Sequence, residues 1–250
     1  MRVFLAGVET YTHIVKPYLP QRPFLLSSFY YANQKLVDII PQAGDFLLDS
    51  GAFTLFSSGG GGVDFRAYVE RYADFINEHG IQKFFELDID SVVGYDEVLK
   101  LRERLEYLTG KQCIPVWHTN RGQDEFIRMA KEYPYVAIGG LVGTGDKEYA
   151  RQYWKYFPWF IKTAHDNGAK IHALGFTSID GLKRYHFDSV DSTRWNCGRF
   201  GRVEYFTGDN IKVMDWRKKN LRLKKEEAEK MSTICFGEWV KFQKWAENHL

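Results

Sequence analysis

Eight short apolar runs punctuate this chain, and helical or loop-like stretches separate them. The runs are RVFLAGV (2–8), PFLLSS (23–28), DFLLDSG (45–51), KFFELDID (83–90), CIPVWH (113–118), YVAIGG (135–140), KIHALGF (170–176) and FDSVDS (187–192). Each has the length of a strand, while 64–80, 95–110, 122–133 and 147–168 carry amphipathic helical patterns. The first two of these close on glycine, as helix C-termini often do. A last helix is expected over about 224–249. Strands alternating with helices predict an α/β protein of parallel βα units. Eight of them predict a closed (β/α)₈ TIM barrel with a C-terminal helix packed on it, and an open doubly wound sheet is the rival. No repeat and no Pro-, Gly- or Ser-rich linker divides the chain. One domain is therefore expected, with the barrel over about 1–205 and a basic connection and helix over about 206–250.

Composition narrows the partners. The net charge of +2 over 250 residues excludes a polycation, so any nucleic acid must be met by a local basic surface. Cys113, Cys197 and Cys235 are far apart in sequence without CxxC pairing, which argues against a zinc knuckle or a disulfide framework and fits a reducing cytoplasm. The opening MRVFLAGVET is too short an apolar run for a signal peptide, and no stretch approaches a membrane span. The expectation is a cytoplasmic protein without a membrane partner.

Strand faces point to a site. In a barrel of this kind catalytic residues gather at the C-terminal strand ends. Phe85, Leu87 and Ile89 alternate with Glu86, Asp88 and Asp90, so three carboxylates are expected on the lumen side. Asp49 falls at the end of its run, His118 ends CIPVWH, and His172 shares a face with Leu174. Asp188 and Asp191 stand three apart and so point to opposite faces; with Val190 packed outward, Asp191 points inward. A single acidic strand end is commonly a helix N-cap. Several from different strands are costly to gather without a purpose.

These segments resemble the tRNA-guanine transglycosylase superfamily, most of all its compact 7-deazaguanine DNA transglycosylase branch. LLDSGAF (47–53) is similar to the family's DSGG segment, LDI (87–89) to its base-reading strand, AIGGL (137–141) to its glycine loop and HALGF (172–176) to its HLMG segment. DSVDSTRW (188–195) resembles the nucleophile strand, DMFDS. The match runs over roughly 40 to 200 in family order. Two features depart from the pattern: His118 stands where the family has Gln, and the zinc subdomain of the tRNA enzymes is missing.

The resemblance implies exchange of guanine in DNA for a free 7-deazaguanine base such as preQ0 or preQ1, with tRNA as the alternative polymer and no cofactor or metal. Asp191 would be the nucleophile forming a covalent sugar ester, with Asp188 as the alternative register, and Asp49 the acid/base group. Asp88, or Asp90 on the same face, would accept the N1–H and N2–H₂ donors of the base. Gly139, Gly140 and Leu141 would donate backbone N–H groups to its carbonyl, His118 would replace the family's Gln, and Leu174 and Phe53 would stack on the ring. The target base must leave its duplex stack or be single-stranded. Arg194, Arg199 and Arg202 follow the nucleophile strand as phosphate contacts. The basic strip RKKNLRLKK (217–225), with Lys218, Lys219, Lys224 and Lys225, is either a phosphate-binding surface or a solvated helix start. SSGGGG (57–62) reads as a lid over the pocket rather than a phosphate loop. Two rivals remain open. One is a metal-dependent barrel hydrolase using Asp49, Asp88, His118 and His172, which lacks HxH or HExxH spacing; the other is a catalytically inactive nucleic-acid binder.

Overall fold

The computed structural model describes residues 1–59, 62–140, 152–215 and 223–250. Leu141, Lys218 and Lys219, two glycines of SSGGGG and the start of the helix expected over 147–168 lie outside these. The strands are β1 (Arg2–Ala6), β2 (Phe24–Ser28), β3 (Asp45–Asp49), β4 (Val116–Trp117), β5 (Tyr135–Ile138), β6 (Lys170–Ala173), β7 (Ser189–Ser192), β8 (Arg202–Phe206) and β9 (Ile211–Asp215). The chain divides into two compact units, each assembled from separate stretches. One holds Met1–Leu26, Gln34–Asp45 and Gly175–Leu250; the other holds Ser27–Asn33 and Phe46–Leu174.

In the first unit β1 lies between β2 and β7, parallel to both, with Leu5 opposite Leu25 and Phe4 opposite Asp191. Val3, Phe4 and Leu5 are buried whichever face they take, as parallel strands covered on both sides require. The Lys225–His249 helix packs here. Its buried Gln243 donates to the Val3 and Phe24 carbonyls at 2.6 and 2.7 Å, and the indole of Trp239 donates to Glu204 at 2.9 Å. An antiparallel β8–β9 hairpin completes the unit. It was not expected from the sequence, although TGDN (207–210), with Gly208 at φ 99°, is turn chemistry between two alternating runs.

In the second unit β5 lies between β4 and β6, again in parallel register. The expected strand over 83–90 is much reduced: Phe84 bridges Leu48 of β3 and Phe85 bridges Ile114, and Asp90 already opens a short helix, Asp90–Val93. The buried Tyr72 hydroxyl donates to both the Leu48 and Phe85 carbonyls, tying β3 to this segment. Helices fall where local signals put them. Phe65–Glu78 starts after Asp64, whose carboxylate accepts from the N–H groups of Arg66 and Ala67. Tyr95–Thr109 stops at Gly110, in the left-handed conformation at φ 65°. Gly122–Glu132 and Phe157–Asp166 follow. Parallel βα organisation is thus present in both units.

Candidate functional site

A cleft of about 610 Å³ opens in the second unit, lined among others by Asp49, Phe53, Asp88, His118, Asn120 and Gly140. Each side chain arrives from a different element end. Asp49 closes β3, Phe53 sits in the first turn of the Ala52–Gly59 helix, Asp88 follows the bridged 84–85 segment, His118 follows β4 and Gly140 follows β5. Gly51 makes the turn after Asp49. It has φ 65°, a Cβ there would stand 2.2 Å from the Ser28 hydroxyl, and its N–H donates to Asp49 Oδ2 at 3.0 Å.

His118 is the best-built member. Its Nε2 hydrogen-bonds Asp88 Oδ1. Its ring rests on the glycine pair: a Cβ on Gly139 would stand 2.8 Å from His118 Cε1, and one on Gly140, at φ 70°, would stand 2.8 Å from Nδ1. These glycines make room for the imidazole, a role not foreseen from the sequence. Burial alone would lower the imidazole pKa. The hydrogen bond to Asp88 and the charges of Asp88 and Asp90 outweigh it and hold the pKa above the ordinary value. His118 and Asp88 therefore form a hydrogen-bonded pair that favours the protonated imidazole. One Asp88 oxygen is committed to it, which leaves Oδ2 as the freer acceptor toward a ligand.

Beneath this rim lies a fully buried ion cluster. Glu86 was expected beside Asp88 and Asp90 on the lumen face. Instead it is sealed in the core and accepts from Arg102 Nε at 2.6 Å, Arg121 Nη1 at 2.8 Å and Val116 N at 2.7 Å. Arg121 Nε donates to Asp90 Oδ2 at 2.9 Å and Asn120 Nδ2 donates to the same oxygen at 3.2 Å. The Arg121 guanidinium lies over the Tyr95 ring, 4.3 Å from its centroid. Burial would raise the Asp90 carboxyl, but the hydrogen bond and charge of Arg121 hold it below the usual range. Asp90 is thus committed to a structural partner, and of the two base-reading candidates Asp88 is the more available.

The ligand atoms of Asp88, Asp90 and His118 lie within 4.8 Å of one another, so these three could hold a metal ion. Doing so would require His118 and Asp88 to give up their mutual hydrogen bond and Asp90 to share its oxygens with Arg121. His172, a ligand in the hydrolase reading, is completely buried with its ring edge-on to Phe85 at 5.4 Å, which makes it a core residue.

In the first unit, Asp191 is 8% exposed near the C-terminal end of β7, and its Oδ1 accepts from Gly175 N at 2.6 Å. Asp188 precedes the strand at its other end. Its carbonyl accepts from Arg2 N at 2.9 Å and its charge acts on the Met1 amino group. The two aspartates thus sit at opposite ends of β7, with Asp191 where parallel α/β folds place their chemistry. Arg194 is not a free cation: it donates to Glu204 Oε1 at 3.1 and 2.7 Å and to the Thr177 carbonyl at 3.1 Å. Arg199 is exposed beside the Phe200 ring, and half-exposed Arg202 pairs with Asp215 at 3.7 Å. Leu174 is half-buried, Phe53 is 57% exposed on the cleft, and Lys224 and Lys225 are exposed at the start of the last helix. Among the described residues no helix is long and apolar enough to cross a membrane.

No family model matches the chain, and no curated protein matches it. Solved structures do. The carboxyl transferase domain of Rhizobium etli pyruvate carboxylase with 3-bromopyruvate aligns over 99% of this chain and 47% of its own, at 12% identity and a TM-score of 0.50. The same domain with 3-hydroxypyruvate aligns over 76% and 39%, at 14% identity and a TM-score of 0.45. A variant of the citrate synthase SbnG aligns over 79% and 88%, at 11% identity and a TM-score of 0.45. The chain spans under half the length of the carboxyl transferase chains. At these identities the likeness is one of fold alone: a TIM-barrel-like α/β protein.

Proposed function

We propose that the protein is a base-exchange glycosyltransferase that replaces guanine in DNA with a 7-deazaguanine base. One observation carries the reading: Asp49, Asp88 and Gly140, drawn from three motifs of the resemblance, line one cleft together with His118, which stands where the family has Gln, and with an exposed aromatic ring, Phe53, at its edge. The Asp88 Oδ2 supplies an acceptor and the His118 ring a second polar contact for a planar base, and Phe53 supplies a face to stack it. Asp49 protonates the departing guanine and takes a proton from the incoming base. Asp191 attacks C1′ and holds the sugar until that base returns it. The finer architecture that goes with this reading is a closed eight-stranded barrel.

DNA and tRNA offered separately with a labelled 7-deazaguanine test the reading, with label expected in DNA. Label in tRNA alone would move the activity to the tRNA branch, and label in neither would remove it. The Asp88–Asp90–His118 cluster favours one second reading, a metal-dependent hydrolase. Stoichiometric metal in protein purified without added metal, together with loss of that metal in His118→Ala, would select it.

A further inference from the structure

The sequence separates its cysteines, but the fold brings two of them together. Cys197, in the Arg194–Phe200 turn of helix, and Cys235, on the Lys225–His249 helix, are 38 residues apart with their sulfurs 3.7 Å apart. The contact is imposed by backbone packing. A Cβ on Gly198 would stand 2.2 Å from Ser232 N and 2.5 Å from Met231 C, so the turn and the helix touch main chain to main chain one residue after Cys197 and one helical turn before Cys235. Both sulfurs lie near the Arg202 carbonyl, at 3.4 and 3.7 Å, and Glu204 N–H donates to Cys235 Sγ at 3.3 Å. Cys235 is sealed and Cys197 is half-exposed. The remaining cysteine, Cys113, is buried in the other unit, where burial raises its thiol pKa well above the ordinary value.

We propose that Cys197 and Cys235 are a reversible oxidation site, forming an intramolecular disulfide with hydrogen peroxide that staples the 194–200 turn to the C-terminal helix. The sulfurs must close from 3.7 Å to about 2.05 Å, within reach of side-chain rotation when the flanking backbones already touch. Peroxide meets the accessible Cys197 first: its sulfur takes one peroxide oxygen, the O–O bond breaks, and water leaves with the thiol proton, giving a sulfenic acid. The Cys235 thiolate then attacks that sulfur and expels hydroxide, which takes up the Cys235 proton as a second water. Two thiols and one peroxide thus yield one disulfide and two waters. In the reduced pair the hydrogen bond from the Cys197 thiol holds Cys235 below and Cys197 above the usual thiol value. Once Cys197 is oxidised, the Glu204 N–H, 3.3 Å from Cys235 Sγ, remains to stabilise the attacking thiolate. The loop of sequence that the disulfide closes contains the β8–β9 hairpin and the basic strip at 217–225. This inference does not depend on the base-exchange reading.

The test uses the purified full chain, treated with hydrogen peroxide, alkylated with N-ethylmaleimide and digested without reductant. Mass spectrometry is expected to find one peptide pair joined through Cys197 and Cys235, two hydrogens lighter than the reduced pair and released by dithiothreitol, with Cys113 alkylated only after denaturation. The oxidised protein should melt about 5 °C or more higher. Cys197→Ser, at the half-exposed position, should show neither the cross-link nor the rise, and it serves even where Cys235→Ser fails to fold. Cys197 recovered as sulfinic acid beside a reduced Cys235, a cross-link through Cys113, or a cross-link with an unchanged Tm would overturn the proposal.

Discussion

ELDID, five residues long, supplies carboxylates to two unlike places. Glu86 is fully buried between two guanidiniums and a backbone N–H, while Asp88, two residues on, reaches the cleft and holds His118. The same alternation that points both side chains one way does not decide which meets solvent. Partners do. Arg102 and Arg121, 16 and 35 residues away, come down over Glu86 and seal it. A buried charge of this kind is structural and costly to orphan, whereas a rim charge is available for chemistry.

The largest effect should come from breaking the sealed cluster. Arg121→Ala leaves Glu86 and Asp90 short of a partner, and a loss of about 3–5 kcal/mol in urea unfolding is expected. His118→Ala should cost less, because the ring is 20% exposed and Asp88 can turn to water. If His118→Ala proves the more destabilising of the two, the division between sealed and rim carboxylates is wrong.

Gly140→Ala comes next. A methyl group at φ 70° pressed against His118 Nδ1 should cost about 1–2 kcal/mol and displace the imidazole. Loss of ligand binding beyond that expected from stability would sharpen the case for His118 as the rim's working group.

The pH response is smaller and has a definite sign. The His118 pKa is raised in the folded state. Its contribution to stability is therefore fully present below the ordinary histidine value and fades as pH rises through the folded one. Asp90, held below its usual range, contributes above the ordinary carboxylate value and loses that contribution as pH falls through its folded one. Urea midpoints measured across pH should show the alkaline-side fade in the wild type and not in His118→Gln.

How much of this was legible in the sequence follows the range of the interactions. Helix ends at Asp64 and Gly110 were readable because their caps are local. The strand order of motifs and the gathering of Asp49, Asp88 and His118 followed from alternation and the βα rhythm. Glu86, Arg194 and the Cys197–Cys235 pair were not legible, because each depends on a partner that only tertiary packing supplies. For Arg194 that partner is Glu204, on the unforeseen hairpin. Gly139 and Gly140 were placed in the site by resemblance, yet their evident work is to leave space for a ring that departs from the family pattern.

The smallest effect belongs to the exposed Lys224 and Lys225. Their replacement by Gln should change stability by less than about 0.5 kcal/mol. If they touch phosphates, the salt dependence of DNA binding should flatten by about 0.9 in log–log slope for each lysine–phosphate pair removed. An unchanged slope would return them to solvent.

The most direct test of the central claim is to trap the covalent intermediate. Wild type, Asp191→Ala and Asp188→Ala are incubated with guanine-containing DNA, denatured, and examined for a protein–DNA adduct. Wild type and Asp188→Ala should yield the adduct, and Asp191→Ala should bind DNA without forming it. An adduct that survives in Asp191→Ala and disappears in Asp188→Ala would contradict the account.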